Sequence, residues 1–172
     1  MVPRNAYDPK LISISEVEYQ SCSGQTVTML SQKIRYTIRA IQHLADHWGQ
    51  GVVSMGEIAE KQNIPRKFLA VILSELSREG LVVSHRGRDG GYELAIPPVD
   101  VRYGDIVRIM QGSLALVPCA SRYAYERCTN CVGEAECRLR SLMLRVRDQT
   151  AEVLDGVTFA DPIPLEPSFT AH

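Results

Sequence analysis

The chain has 172 residues and an apolar fraction of 45%, which suffice for one domain of ordinary size with an appendage. Its net charge of −1 excludes the strongly basic class of nucleic-acid-binding domains, and no apolar run approaches the ~20 residues that cross a bilayer. Residues 1–28 hold no apolar core of a secretory signal, so we expect a protein of the reducing cytoplasm that contacts no membrane.

The two ends of the chain are predicted to be flexible tails. Residues 1–28 mix proline, serine and isolated apolar residues without a period, and residues 162–172 are rich in proline. Met29 opens the first well-patterned segment, so the natural start of translation is either Met1 or Met29. The intact mass of the natively expressed protein distinguishes these two starts.

Two amphipathic helices are predicted at the start of the patterned region. Apolar residues recur at three- and four-residue steps over 30–48, and a glycine on either side of Gln50 stops this first helix. The first helix is expected to place these residues on its apolar face: Ile34, Ile38, Ile41, Leu44, Ala45 and Trp48. A capping box formed by Ser54 and Glu57 opens a short second helix that runs to about Gln62.

A third helix follows after a tight break. Pro65 suits its first turn, its extent is about 66–79, and Gly80 ends it at a position that favours the left-handed conformation. Its expected buried residues are Phe68, Leu69, Ile72, Leu73 and Leu76. Two short helices joined by such a turn form a helix-turn-helix pattern, which on its own is a weak signal.

A β-hairpin strengthens that signal. Strands are predicted at 81–84 and 92–96, on either side of a glycine-rich turn that carries Arg86 and Arg88. Three helices and a hairpin in this order predict a winged helix-turn-helix DNA-binding domain over 29–98, with the arginines at the tip of the wing.

Residues 99–133 predict a short helix, from about Tyr103 to Gly112, and then a cysteine-rich loop. Four of the five cysteines fall in or directly after this loop: Cys119, Cys128, Cys131 and Cys137. Thiolates suit iron–sulfur clusters, zinc and monovalent copper, and the spacing is neither that of a zinc ribbon nor that of a ferredoxin. The cysteines predict a metal or redox centre and leave iron and zinc open, with free thiols as a further alternative.

A long helix is predicted from about Glu134 to Asp155, within a C-terminal segment 134–161. Its apolar residues recur at alternating steps of four and three: Leu139, Met143, Val146, Thr150, Val153 and Val157. That spacing is the seam of a helix that packs along another long helix. We interpret it as a dimerisation helix, with packing inside one chain as the alternative. The expected fold is therefore mainly α with a small β-hairpin wing.

The sequence shows no catalytic constellation. The wing glycines fit a hairpin turn and do not form a phosphate-binding loop, and the four histidines have no nucleophile as a neighbour in the sequence. His43 and His47 lie four residues apart, a spacing that suits a metal pair but is more typical of a polar helix face. We predict that the protein is not an enzyme.

Four stretches resemble the Rrf-two family of bacterial transcription regulators, whose branches include the iron–sulfur regulator IscR, the nitric-oxide sensor NsrR and the iron regulator RirA. They are MLSQKIRYTIRAIQHLA, VSMGEIAEKQNIPRKFLAVILSELSREGLV, RGRDGGYELAIPP and DGVTFADP, and the likeness covers residues 29–161. The resemblance implies a homodimeric regulator, expected to be a repressor, that binds a two-fold related DNA operator. It also implies a [2Fe-2S] or [4Fe-4S] cluster in each cysteine loop, which would sense iron–sulfur status, redox state or nitric oxide.

The cysteine set departs from the family pattern. Cluster-binding members usually supply three cysteines and a different fourth ligand, whereas this chain has four cysteines and Arg140 three residues beyond Cys137. Arg35 stands where the nitric-oxide-sensing branch can supply an aspartate ligand. Ligation by all four cysteines is the simple inference, and Cys128 is the expected spectator if only three ligate. A zinc- or thiol-based regulator of the same fold, or a winged-helix protein-interaction module, is the alternative function.

Seven residues are predicted to contact DNA: Ser31, Lys33, Arg35, Arg66, Lys67, Arg86 and Arg88. The first three would reach the phosphate backbone from the first helix, and the last two would do so from the wing or enter a minor groove. Arg66 and Lys67 lie at the start of the third helix, where a helix in the major groove meets bases and phosphates. Ala70 and Val71 replace polar base-reading positions of IscR-like proteins, which predicts a different operator or weaker direct readout.

Overall fold

The computed structural model describes residues 30–128, 131 and 133–164. Within these ranges the chain forms five α-helices and one antiparallel hairpin. In chain order they are α1 (Gln32–Asp46), α2 (Met55–Lys61), α3 (Arg66–Arg78), β1 (Val82–His85), β2 (Gly91–Leu94), α4 (Tyr103–Gln111) and α5 (Arg138–Asp155). The tail predicted at 1–28 and most of the tail at 162–172 lie outside the described residues, as does the question of Met1 or Met29.

Helix α1 begins and ends inside its predicted range. Its N-cap is Ser31, whose hydroxyl accepts a hydrogen bond of 3.3 Å from the backbone N–H of Ile34. The helix ends at Asp46, so Trp48 lies beyond it and is 43% exposed. The prediction that Trp48 belongs to the apolar face was wrong, because the apolar stripe continues only as far as the helical geometry does.

Helices α2 and α3 form the expected pair. Ser54 caps α2 by accepting from the backbone N–H of Glu57 at 3.1 Å. Gly80 ends the third helix with φ +73°, as predicted from its position. Phe68 was expected in the core but is 58% exposed. The buried side of α3 passes through Leu69 and Leu73, and position 68 is one helical step of about 100° away from it.

The wing is a two-stranded sheet whose pairing runs from Val82 opposite Leu94 to His85 opposite Gly91. Both strands are four residues long, so the first is shifted by one residue from its predicted range and the second ends before Ile96. Val53 extends the sheet by exchanging two 2.8 Å backbone hydrogen bonds with Tyr92. A side chain at Gly91 would place its Cβ 2.5 Å from the carbonyl oxygen of Val53, so this close approach requires glycine.

One apolar core joins α1, α2, α3, the wing and α4. The segment after the last helix closes this core, because Phe159 is buried and its ring stacks on Tyr103 with centroids 4.1 Å apart. The backbone N–H of Phe159 donates to the carbonyl of Val101 at 3.0 Å, and the hydroxyl of Tyr103 donates to Gln42 at 2.6 Å. Helices α1–α3 and α4 therefore form a single packed unit.

Helix α5 differs from its prediction at one end and in its packing. It begins after Cys137, while the expected start at Glu134 lies in a 3-10 turn, Glu134–Glu136. Of the eighteen residues that the structure describes in α5, none is buried. A bidentate ion pair ties its end to α4, with Arg108 donating twice to Asp155 at 2.7 Å. None of the described helices is long and apolar enough to cross a membrane.

Candidate cysteine centre and nucleic-acid interface

The four cysteines of the predicted centre are placed by three kinds of local structure. Cys119 lies in a 3-10 turn, Pro118–Ala120, and is buried. Cys128 is exposed in the loop that follows, and Cys131 is half-buried in the same loop. Cys137 is the N-cap of α5, where its sulfur accepts from the backbone N–H of Arg140 at 3.4 Å.

The fold brings these sulfur atoms into one neighbourhood as two pairs. The thiol of Cys119 interacts with that of Cys128, and the thiol of Cys131 interacts with those of Cys137 and Cys119. Burial raises the pKa of the Cys119 and Cys131 thiols above the ordinary value, and their partner thiols raise it further. These two thiols are therefore protonated at neutral pH, and a metal centre that binds them displaces protons.

The spacing of the sulfur atoms bears on which centre they fit. No three cysteine sulfurs among the described residues lie within 4.8 Å of one another. A zinc ion with four bonds of ~2.3 Å would hold its sulfur ligands about 3.8 Å apart. An iron–sulfur cluster spreads its ligands more widely, because two or more irons and their bridging sulfides lie between the thiolates. Some of the four sulfur atoms therefore lie further apart than the ligands of one zinc ion.

Two arginines of α5 hold the first cysteine against the helix. Arg140 donates from Nε to the carbonyl of Cys119 at 3.1 Å, and Arg147 donates to the carbonyl of Ala120 at 2.6 Å. Their positive charge is favourable for a set of thiolates. This role of Arg140 was missed from the sequence, since nothing in a helical pattern shows that a side chain reaches back across 21 residues.

The predicted DNA contacts on α1 are partly engaged within the chain. The hydroxyl of Ser31 serves as the helix cap, and Lys33 forms an ion pair of 2.6 Å with Glu75 of α3. Arg35 donates to the side chain of Gln32. Helix α1 packs beside α3, so these three residues lie near the predicted DNA contacts of α3. Each of the three side chains nevertheless has a hydrogen bond or ion pair within the chain.

The predicted contacts on α3 and the wing are exposed. Arg66 and Lys67 lie at the solvent-facing start of α3, and Arg86 and Arg88 lie at the tip of the hairpin. Between α1 and α3 is a cavity of about 280 Å³ with these lining residues: Lys33, Lys67, Phe68, Val71 and Ile72. The exposure of Phe68 was missed from the sequence, and it adds an apolar surface of the kind that contacts thymine methyl groups.

Comparisons with known proteins agree with this arrangement. A family model described as "Rrf2: Iron-dependent Transcriptional regulator" matches residues 30–164. An Rrf2-like HTH-type transcriptional regulator of Rhodobacter capsulatus is 38% identical over 136 residues, which are 77% of this chain and 91% of the relative.

Two solved structures share the fold. That of T. potens IscR has a TM-score of 0.62 and 31% identity, and it covers 82% of this chain and 88% of its own. That of CymR, the global cysteine regulator of B. subtilis, has a TM-score of 0.64 and 34% identity, and it covers 77% and 93%. The winged helix-turn-helix fold, the DNA-binding role and the absence of an enzymatic function were predicted correctly. The chain belongs to the Rrf2 (Rrf-two) family of transcriptional regulators.

Proposed function

We propose that this regulator is a homodimeric, cytoplasmic repressor whose affinity for a two-fold related operator depends on a cysteine-ligated iron–sulfur cluster. The observation that carries the proposal is the convergence of four thiols, three before α5 and one at its N-cap, beside a helix that presents an exposed apolar seam. The family description as iron-dependent supports it.

The proposed ligands are Cys119, Cys128, Cys131 and Cys137. Their arrangement in two pairs favours a cluster over zinc, and the buried turn at Cys119 excludes water from one side of it. Arg140 and Arg147 compensate negative charge and hold that turn on α5. When bound, the cluster supplies iron–sulfur bonds that oxidants, nitric oxide or iron loss can break.

Dimerisation is proposed through α5. Leu139 and Val153 of the predicted seam are 60% and 66% exposed, and Leu142 of the same helix is 51% exposed. An apolar cavity of about 540 Å³ between α4 and α5 adjoins Val153 and continues the same surface. A second copy of the chain would cover these apolar groups, which a single chain leaves in water.

The coupling between the cysteines and the DNA-reading unit is proposed to pass along α5. One end of this helix is capped by Cys137, and the other end is tied to α4 by the Arg108–Asp155 pair. Since α4 shares the core of α1–α3, a change in the direction of α5 moves the reading unit of each subunit. Half-sites on one face of DNA lie about 34 Å apart, so coupling of about 1–3 kcal/mol alters operator occupancy.

In the complex with DNA, Arg66 and Lys67 are proposed to enter the major groove and the wing arginines to contact phosphates or an adjacent minor groove. The apolar surface at Phe68 and Val71 offers contacts to thymine methyl groups and few hydrogen bonds to base edges. We therefore expect an operator whose contacted bases include thymines. We also expect phosphate neutralisation to contribute much of the binding free energy.

Anaerobic purification of Cys131→Ala and Cys137→Ala tests the cysteine assignment. Both variants should lose the visible absorbance of the cluster and change operator affinity in a titration. The fifth cysteine supplies a matched control, because Cys22→Ala should keep the colour and the affinity. Wild-type absorbance and affinity in both test variants would contradict the proposed ligands.

A thiol-based or zinc-based regulator of the same fold is the second candidate. It is favoured by the likeness to CymR, described as a global cysteine regulator, and by the exposure of Cys128. Protein purified without oxygen distinguishes the two: a brown protein with stoichiometric iron and sulfide supports the cluster, whereas a colourless protein supports zinc or free thiols.

A further inference from the structure

Three side chains of metal-ligating types meet where the end of α1 faces the first turn of α2. His43 and His47 are one turn apart on α1, and Glu57 reaches them from α2. The Nε2 atoms of the two histidines lie 3.8 and 4.0 Å from Oε1 of Glu57, and the three donor atoms are all within 4.8 Å of one another.

The first histidine has an unsatisfied ring atom. His43 is 7% exposed, and its Nε2 is buried without a hydrogen-bond partner. The 3.8 Å separation from Glu57 is too long for a hydrogen bond. Leaving a buried polar atom unpaired is costly, so this atom needs a partner that lies between it and the carboxylate. The interpretation of the histidine pair as a polar helix face was therefore wrong for His43.

Hydrogen bonds to the other ring nitrogens hold both imidazoles in a ligand-like state. The Nδ1 atom of His47 lies 2.8 Å from the backbone carbonyl of His43, which can only accept, so the proton is on Nδ1 and Nε2 keeps its lone pair. The Nδ1 atom of His43 lies 3.3 Å from the side-chain amide of Gln62, whose oxygen accepts from it when the amide is turned by 180°. Such outer hydrogen bonds orient the histidine ligands of metals.

The protonation state of His43 also suits metal binding. Burial lowers the pKa of His43 below its ordinary value of 6.5, and the neighbouring His47 lowers it further, against the opposing effect of Glu57. The ring is therefore neutral at neutral pH, which is the form that binds metals. The carboxylate of Glu57 is half-exposed and directed to the histidines, while its backbone N–H serves the cap of α2.

We propose that His43, His47 and Glu57 bind one divalent transition-metal ion of the zinc type, with a fourth position open to solvent. Two imidazoles and one carboxylate are a recurrent zinc set, and bonds of ~2.0–2.1 Å require donor separations of about 3.4 Å. The two histidine–carboxylate separations of 3.8 and 4.0 Å need to shrink by about 0.4–0.6 Å, which a rotation of the half-exposed Glu57 side chain can supply. The ion would join α1 to α2 and so brace the helix-turn-helix from within. This proposal does not rest on the cysteine centre.

Zinc binding to the anaerobically purified full-length protein tests the site. Competition with a chromophoric chelator should detect one Zn²⁺ per chain that is retained in the Cys137→Ala variant. His47→Gln and Glu57→Gln should each weaken this binding by more than ~100-fold, since each removes one of three ligands. Saturating zinc should raise the melting temperature of the wild type by about 5–10 °C and leave that of the two variants unchanged.

A second histidine–carboxylate pair in the chain supplies the control. His85 and Glu93 on the wing lie 2.7 Å apart, and no third donor joins them among the described residues, so His85→Gln should bind Zn²⁺ like the wild type. Both test residues are partly exposed, and circular dichroism verifies that the variants fold. Equal affinity in the wild type and His47→Gln, or no zinc binding by the wild type, would overturn the proposal. The X-ray absorption spectrum of the zinc-loaded protein should show scattering from two imidazole ligands.

Discussion

The DNA-reading unit and the α5 arm of this regulator are stabilised in different ways. In the reading unit, helices α1–α4, the wing and Phe159 share one apolar core, with Leu69, Leu73 and Leu76 fully buried. The α5 arm has no buried residue among those described and is attached through ion pairs and arginine-to-carbonyl hydrogen bonds. The comparison teaches that the reading unit buries its apolar residues within one chain, whereas α5 leaves its apolar residues at the surface of that chain.

The largest expected effect is on the core of the reading unit. Leu73→Ala should lower the free energy of unfolding by about 2–5 kcal/mol, because it removes buried methyl groups and leaves a cavity. Urea unfolding monitored by circular dichroism measures the change. Leu142→Ala on α5 is the matched comparison and should change the stability of the isolated chain by less than ~0.5 kcal/mol. Equal losses in both variants would remove the distinction between the two regions.

A charge on the apolar seam should act on assembly. Leu139→Asp combined with Val153→Asp should weaken the proposed dimer by at least ~30-fold, since both side chains would enter an apolar interface as charges. Sedimentation velocity over a concentration series measures the dissociation constant. Ser141→Asp, at an exposed polar position of the same helix, is the control for added charge. A dimer unaffected by the double substitution would place the interface elsewhere.

The tether between the two regions should show a pH dependence. The hydrogen bonds from Arg108 hold the pKa of Asp155 below its ordinary value of 3.8. A lowered pKa stabilises the folded protein above the unfolded value, and this contribution is lost as the pH falls through the folded pKa. Arg108→Leu should lower the free energy of unfolding by about 1–2 kcal/mol at pH 7. Below pH 3 the difference in the free energy of unfolding between the variant and the wild type should be smaller.

Urea unfolding of the wild type and the Arg108→Leu variant at both pH values measures this difference. Gly104→Ala gives an independent check, since its Cβ would lie 1.9 Å from the carboxylate of Asp155 and would displace it from the arginine. A difference between wild type and variant that does not change with pH would contradict the assigned role of the ion pair.

The smallest expected effect concerns a single phosphate contact of the reading unit. Arg88→Ala should reduce the slope of log affinity against log salt by about 1 and should weaken binding similarly for all operator sequences. Fluorescence anisotropy with labelled duplexes at several salt concentrations measures the slope. Arg78→Ala, at the far end of α3 from the proposed groove contact, is the control and should leave the slope unchanged.

The local sequence pattern was sufficient to predict most of the helices and the wing. Ser54 and Gly80 mark helix ends through a hydrogen bond and a dihedral angle that are encoded within a few residues, so both were predicted from the sequence. Phe68 was misplaced because burial on α3 depends on which side α1 and the wing cover, and periodicity alone tolerates a shift of one residue. The start of α5 was misplaced because the cap is a cysteine.

The sequence by itself determined the order of the elements, the presence of four thiols in one loop and the apolar spacing of α5. These features depend on residues that are close along the chain. Only the tertiary structure decided that the thiols form two pairs, that Arg140 and Arg147 hold the loop on α5, and that Glu57 faces His43 and His47. Such contacts join residues far apart along the chain, and the packing of the core fixes which of them meet.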